Sequence, residues 1–123
     1  MELHRAIEES ADAALAAFEN SAMQPVYPPG VQLSRADTLA LNGLQLSDAS
    51  RAAIRKLFVD AAGRPLFHLF SLIDGVADPA QWPTSDPWLG LTVSEKDEDA
   101  EDSEMWHDQF FESYWDYRDA TRA

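Results

Sequence analysis

Leu66-Phe67-His68-Leu69-Phe70-Ser71-Leu72-Ile73 is the segment from which the architecture is read first. It is apolar at both parities, the pattern expected of a strand covered on both faces, and Asp74-Gly75 closes it as a turn. Gly63 and Pro65 stand just before it and predict the end of a helix over 48–62, capped at its start by Ser47 or Asp48. In that helix Ile54, Leu57, Phe58 and Ala61 form a stripe opposite Arg51, Arg55 and Lys56. Downstream, a connection from Val76 to Pro87 leads into Trp88 to Ser94, where Leu89, Leu91 and Val93 alternate with Trp88, Gly90 and Thr92. The pair 66–73 and 88–94 therefore predicts a small antiparallel sheet or hairpin.

Outward from that centre the pattern is helical. Leu3, Ile7, Ala11, Ala14, Leu15 and Phe18 recur at helical spacing among Glu8, Glu9, Asp12 and Glu19, predicting an amphipathic helix over 2–19. Three prolines and a glycine between Gln24 and Gly30 exclude its continuation and predict a Pro-rich connection over 24–30. The stretch from Val31 to Leu46 switches between periods, with a short helix near Ser34 and a turn at Asn42-Gly43. At the other end, Trp106, Phe110, Phe111, Tyr114, Trp115 and Tyr117 share a broad face of a helix over 103–120, with Asp108, Glu112, Asp116 and Asp119 along another. Three helices and a small sheet in one domain over 1–123 define an α+β fold.

Composition narrows the partners. Nine bases against 22 acids give a net charge of −13, a field that repels phosphate backbones and anionic lipid, so neither nucleic acid nor membrane is expected as a partner. The chain has no cysteine, which excludes disulfides, zinc-thiolate centres and thiol nucleophiles and suits a reducing compartment. Acids at Glu2, Glu8 and Glu9 occupy the place where a secretory signal carries a basic start and an apolar segment. A cytoplasmic location is the expectation. An acidic, lysine-poor surface is also what a high-salt interior favours.

The charge is uneven. From Glu95 to Ala123 eleven acids face three bases. The run over 95–104 repels itself as an acidic loop, and at the start of a helix its carboxylates also complement the macrodipole. As a docking surface, Asp97, Glu98, Asp99, Glu101 and Asp102 would steer a basic protein, while Asp108, Glu112, Tyr114 and Asp116 would hold it. The expected partner is a toxin, a nuclease or a DNA-binding protein, and the most concrete form of the reading is a bacterial immunity-type inhibitor, with a DNA mimic as its variant. An acidic domain with only solubility or structural duty is the plainer alternative.

Catalytic and metal-binding patterns are incomplete. Glu104-Met105-Trp106-His107 carries the E-x-x-H spacing of di-iron bundles, but no second such pair exists, and His4 with Glu8 is a spacing common on surface helices. The oxygen-rich Asp97 to Asp102 lacks the D-x-D-x-D-G order of a calcium loop. Ser71, Ser94 and Ser103 sit in no G-x-S-x-G elbow, His68 lies within the apolar run, and no glycine-rich phosphate loop occurs. A non-enzymatic binding protein without cofactor is the expectation, and a metal-dependent protein or small enzyme built on Glu104 and His107 is its competitor.

Overall fold

In a computed structural model of the chain, residues 2–20, 23–80, 82–83, 85–94 and 106–122 are described. Four helices follow one another: α1 (Glu2–Glu19), α2 (Arg35–Asn42), α3 (Asp48–Ile73) and α4 (Trp106–Thr121). No strand occurs among the described residues, so the fold is all-helical and the expected α+β architecture is overturned.

The correction centres on 66–73. This run is the last part of α3, which continues through Gly63 and Pro65 instead of stopping at 62. A continuous apolar run carries no period of its own, so it fits a helix as well as a strand, and here Leu66, Leu69, Phe70 and Ile73 fall at helical spacing. Pro65 removes the N–H that would bond the Ala61 carbonyl, a defect that typically costs about 3 kcal/mol in a helix interior. The helix tolerates it because both flanks are tied down. Upstream, α3 lies along α1; downstream, the chain turns back and bonds the end of the helix.

The α1–α3 pair is antiparallel and holds the most buried residues of the fold. Ala11 and Leu15 of α1 are buried, and Phe18 stacks on Phe58 with ring centroids 5.8 Å apart. Near the other end, Ile7 lies where a side chain on Gly63 would meet it. Arg51 and Arg55 do not oppose this contact as a helical wheel of α3 alone predicts; they edge it. The Arg55 guanidinium spans Asp12 (Nε to Oδ1, 2.6 Å) and Glu8, and Arg51 reaches Glu19. Leu57, expected on the apolar stripe, is instead 66% exposed.

Capping fixes the starts of α2 and α3. Ser34 and Asp37 form a reciprocal box that opens α2, and Ser47 accepts from the Ser50 N–H to open α3. Leu33 and Leu41 then border the alanine side of α1 at Ala13, Ala14 and Ala17.

The segment 88–94 belongs to no strand and is irregular. It ends α3 instead. The Trp88 indole N–H donates to the Leu72 carbonyl at 2.7 Å, alongside the Gly75 N–H, and the Leu91 N–H donates to the Ile73 carbonyl at 2.8 Å, so the returning segment supplies donors to the last carbonyls of the helix. The crossing is so close that Gly75 and Gly90 face each other, both with positive φ (71° and 85°). A Cβ on Gly90 would overlap the Ile73 carbonyl oxygen.

Whole-chain exposure is high. The accessible surface is 10469 Å², against about 6,600 Å² for a compact globule of 13.7 kDa. Large apolar side chains stay exposed on every helix: Leu3 on α1, Leu39 on α2, Leu57 and Phe67 on α3, and Trp106 and Phe110 on α4.

Two outcomes follow from this packing. Gly90→Ala is expected to destabilise the fold by about 1–3 kcal/mol through its clash and left-handed φ, shifting Trp88 fluorescence as its indole leaves Leu72; an unchanged emission maximum and urea midpoint would contradict the crossing. The Arg55 hydrogen bond holds the Asp12 carboxyl below its ordinary value of 3.8. A carboxyl depressed by folding contributes stability above its unfolded pKa and loses it as pH falls through the folded one. Asp12→Asn should therefore lower the urea midpoint at pH 7, and the gap to the unmodified chain should close below pH 3.8.

Candidate functional site: an acidic row on an aromatic-anchored helix

α4 packs against none of the other three helices among the described residues. A single aromatic cluster ties it to the Pro-rich connection. Tyr27, just ahead of a cis Pro28, stacks on Phe110 at 5.3 Å and meets Phe111 and Tyr114 edge-on at 6.1 and 5.6 Å. Tyr114 in turn sits edge-on to Trp115 at 5.3 Å, and the far edge of the Trp115 ring approaches Gly30. Arg118 lies over the Trp115 ring at 4.3 Å, so one of the few basic side chains of this region covers an aromatic face.

Helical geometry then decides what points away. With 100° per residue, the inward rings at 110, 111, 114 and 115 and the guanidinium at 118 occupy one side, and Asp108, Glu112, Asp116 and Asp119 the other. All four acids are exposed. They extend over about 16 Å of helix at 1.5 Å per residue. His107 lies 3.3 Å from Asp108, whereas Glu112, Asp116 and Asp119 form no ion pair with a described residue.

The expected partner-binding residues thus divide. Asp108, Glu112 and Asp116 form one outward row. Tyr114 is half-buried and faces the Tyr27 cluster, on the opposite side from those acids. Asp97, Glu98, Asp99, Glu101 and Asp102 lie outside the described residues, as does the metal candidate Glu104. Two aromatics take the place assigned to Tyr114: Trp106 and Tyr117 are 74% and 65% exposed. Only the docking direction separates them from the rings that meet Tyr27, and that direction is set by Tyr27, about eighty residues away in sequence.

The other candidate chemistry disperses. His68 is an exposed position on helix α3, not a strand residue, and Glu8, the i+4 neighbour of His4, binds Arg55. Among the described residues no three His, Asp or Glu side chains converge as a metal site. No described helix is long and apolar enough to cross a membrane. Open hollows occur among the described residues. One, of about 650 Å³, lies beside Trp82 in the 78–87 loop. Two apolar grooves of about 420 Å³ flank α1, one against Met23, Val26, Leu33 and Leu41, the other against Val59, Leu66, Phe67 and Phe70.

No protein-family model, curated protein or solved structure matches the chain. The immunity-type and DNA-mimic forms of the binding reading rested on size, acidity and lack of cysteine; no relative supports them, and they are set aside together with the α+β fold.

Tyr27→Ala tests the anchor. Losing its ring contacts should weaken α4 docking by about 2 kcal/mol, at roughly 0.5–1.5 kcal/mol per aromatic pair. Amide exchange over 106–121 should then accelerate while protection in α1 and α3 is kept. Equal protection of α4 in both proteins would show that something else holds it.

Proposed function

We propose that the protein is a non-enzymatic acidic binding protein of the cytoplasm that engages a basic protein along α4. The carrying observation is the outward row Asp108, Glu112, Asp116 and Asp119, ordered on a helix whose opposite side is occupied by the Tyr27 cluster. Three of these carboxylates lack a described cationic partner, and an array of like charge on one face speeds encounter with a surface of opposite sign.

Specificity needs more than charge, because exposed ion pairs are each worth little. Trp106 and Tyr117 supply it. They lie on the edge of α4 nearest Phe110, about 80–100° round the helix from Asp116, and bury large area at small entropic cost when a partner closes over them. The division of labour is electrostatic steering by the row and anchoring by the two rings. Asp97, Glu98, Asp99, Glu101 and Asp102, immediately N-terminal in sequence, extend the negative field that the partner meets.

The test is a pull-down from the host with the full chain, followed by association kinetics on the recovered protein. The partner should be basic, and its association rate should fall steeply with salt. Reversing the row with Asp108→Lys, Glu112→Lys and Asp116→Lys should slow association at least tenfold at low salt and flatten that dependence, while Trp106→Ala should chiefly speed dissociation. A partner that associates equally fast with the reversed chain would exclude this role for the row.

A further inference from the structure

Among the described residues, α1 covers one side of α3 and no other helix covers the opposite one. On that opposite side Ala53, Leu57, Asp60, Arg64, Phe67 and Ser71 recur at steps of four, three, four, three and four, which is a single stripe along the helix. From 53 to 67 every member is exposed, with Leu57 at 66% and Phe67 at 77%. A solvated helix face is normally polar throughout, so two large apolar residues ten positions apart on one seam call for a covering surface.

The order of residues in the stripe identifies that surface. When two helices run antiparallel about a two-fold axis at residue 62, position 53 faces 71, 57 faces 67 and 60 faces 64. Ala53 then meets Ser71, Leu57 meets Phe67 and Asp60 meets Arg64, and each pairing occurs twice. Small faces small, apolar faces apolar and acid faces base. In the single chain Asp60 and Arg64 already lie side by side at 2.7 Å, both well exposed. We propose that the protein self-associates through this face of α3, with a second copy of the chain as the occupant.

Charge is compatible with that choice despite the net −13. Residues 2–73 carry eight acids and six bases, so the surplus negative charge lies beyond α3. The antiparallel arrangement sets the two residue-73 ends about 33 Å apart at 1.5 Å per residue, several screening lengths at physiological salt. A parallel pairing would instead place Asp60 on Asp60 and Arg64 on Arg64. Pro65 projects to a different side, so its missing N–H is not in the seam. The loop at Val76 and Ala77, whose amides donate to the Ser71 carbonyl, borders the seam's end.

Sedimentation equilibrium on the full chain across the micromolar range tests the pairing by charge exchange. The unmodified chain should be a dimer. Asp60→Arg alone and Arg64→Asp alone should each weaken self-association at least tenfold, because each places like charges opposite one another. An equimolar mixture of the two variants should restore a dimer, since the substituted positions are then complementary, and the double variant should dimerise by itself. Circular dichroism checks that every variant keeps the helical signal, as expected for an exposed pair. Leu57→Ala with Phe67→Ala should give a folded monomer. A chain that is monomeric throughout the range, single variants that dimerise like the parent, or a mixture that stays monomeric would each overturn the proposal. None of these residues belongs to α4, so either result leaves the acidic row to its own test.

Discussion

The antiparallel contact between α1 and α3 is the constraint from which the remaining structure takes its position. Its closed part is small: Ala11 and Leu15 are buried, Ile7, Phe18 and Phe58 half-buried beside them. Around that contact Arg55 spans Asp12 and Glu8 while Arg51 reaches Glu19, so the edge of the pair is ionic where its centre is apolar. Hydrophobic burial supplies the attraction and the guanidinium groups set the register, because two carboxylates one helical turn apart fit one planar fork. With α1 spent on one side of α3, no other described helix packs on the opposite side.

Length is the second consequence. At 26 residues α3 outreaches the 18 of α1, and its last turn is held instead by the returning segment at Trp88 and Leu91. This returning segment supplies donors to the last carbonyls of the helix, and only glycine at 75 and 90 permits so close a crossing. α4 is placed by a different principle, an aromatic cluster around Tyr27, and none of the other described helices packs on it. The molecule is thus divided into a nearly neutral helical platform with an apolar seam and a strongly acidic C-terminal part with exposed rings. Those two surfaces carry the two proposed associations, one with a copy of itself and one with a basic protein.

Several elements were legible without coordinates. The limits of α1, the Pro-rich break after it, the Ser47 cap and the aromatic-acidic division of α4 all follow from local rules that act within a few residues: helical periodicity, missing amide donors and side-chain capping. The reading failed where the local signal was degenerate. An apolar run with no period, preceded by Gly63 and Pro65, favours a strand on propensity, yet the run became helix because both of its ends were held by distant residues. Likewise Tyr114 was assigned outward by residue type, whereas Tyr27 turned it inward.

Sequence by itself therefore determined the composition of each helix face, the strong acidity of the C-terminal part and the places where the backbone can turn, since these depend on covalent geometry and charge. Tertiary structure decided which face is covered. It made helix of 66–73, brought Arg51 and Arg55 to the acids of α1, exposed Leu57 and Phe67, and turned the acidic row of α4 to solvent. The physical reason is that covering a face requires a particular partner surface at a particular distance, and that partner is supplied by residues tens of positions away along the chain.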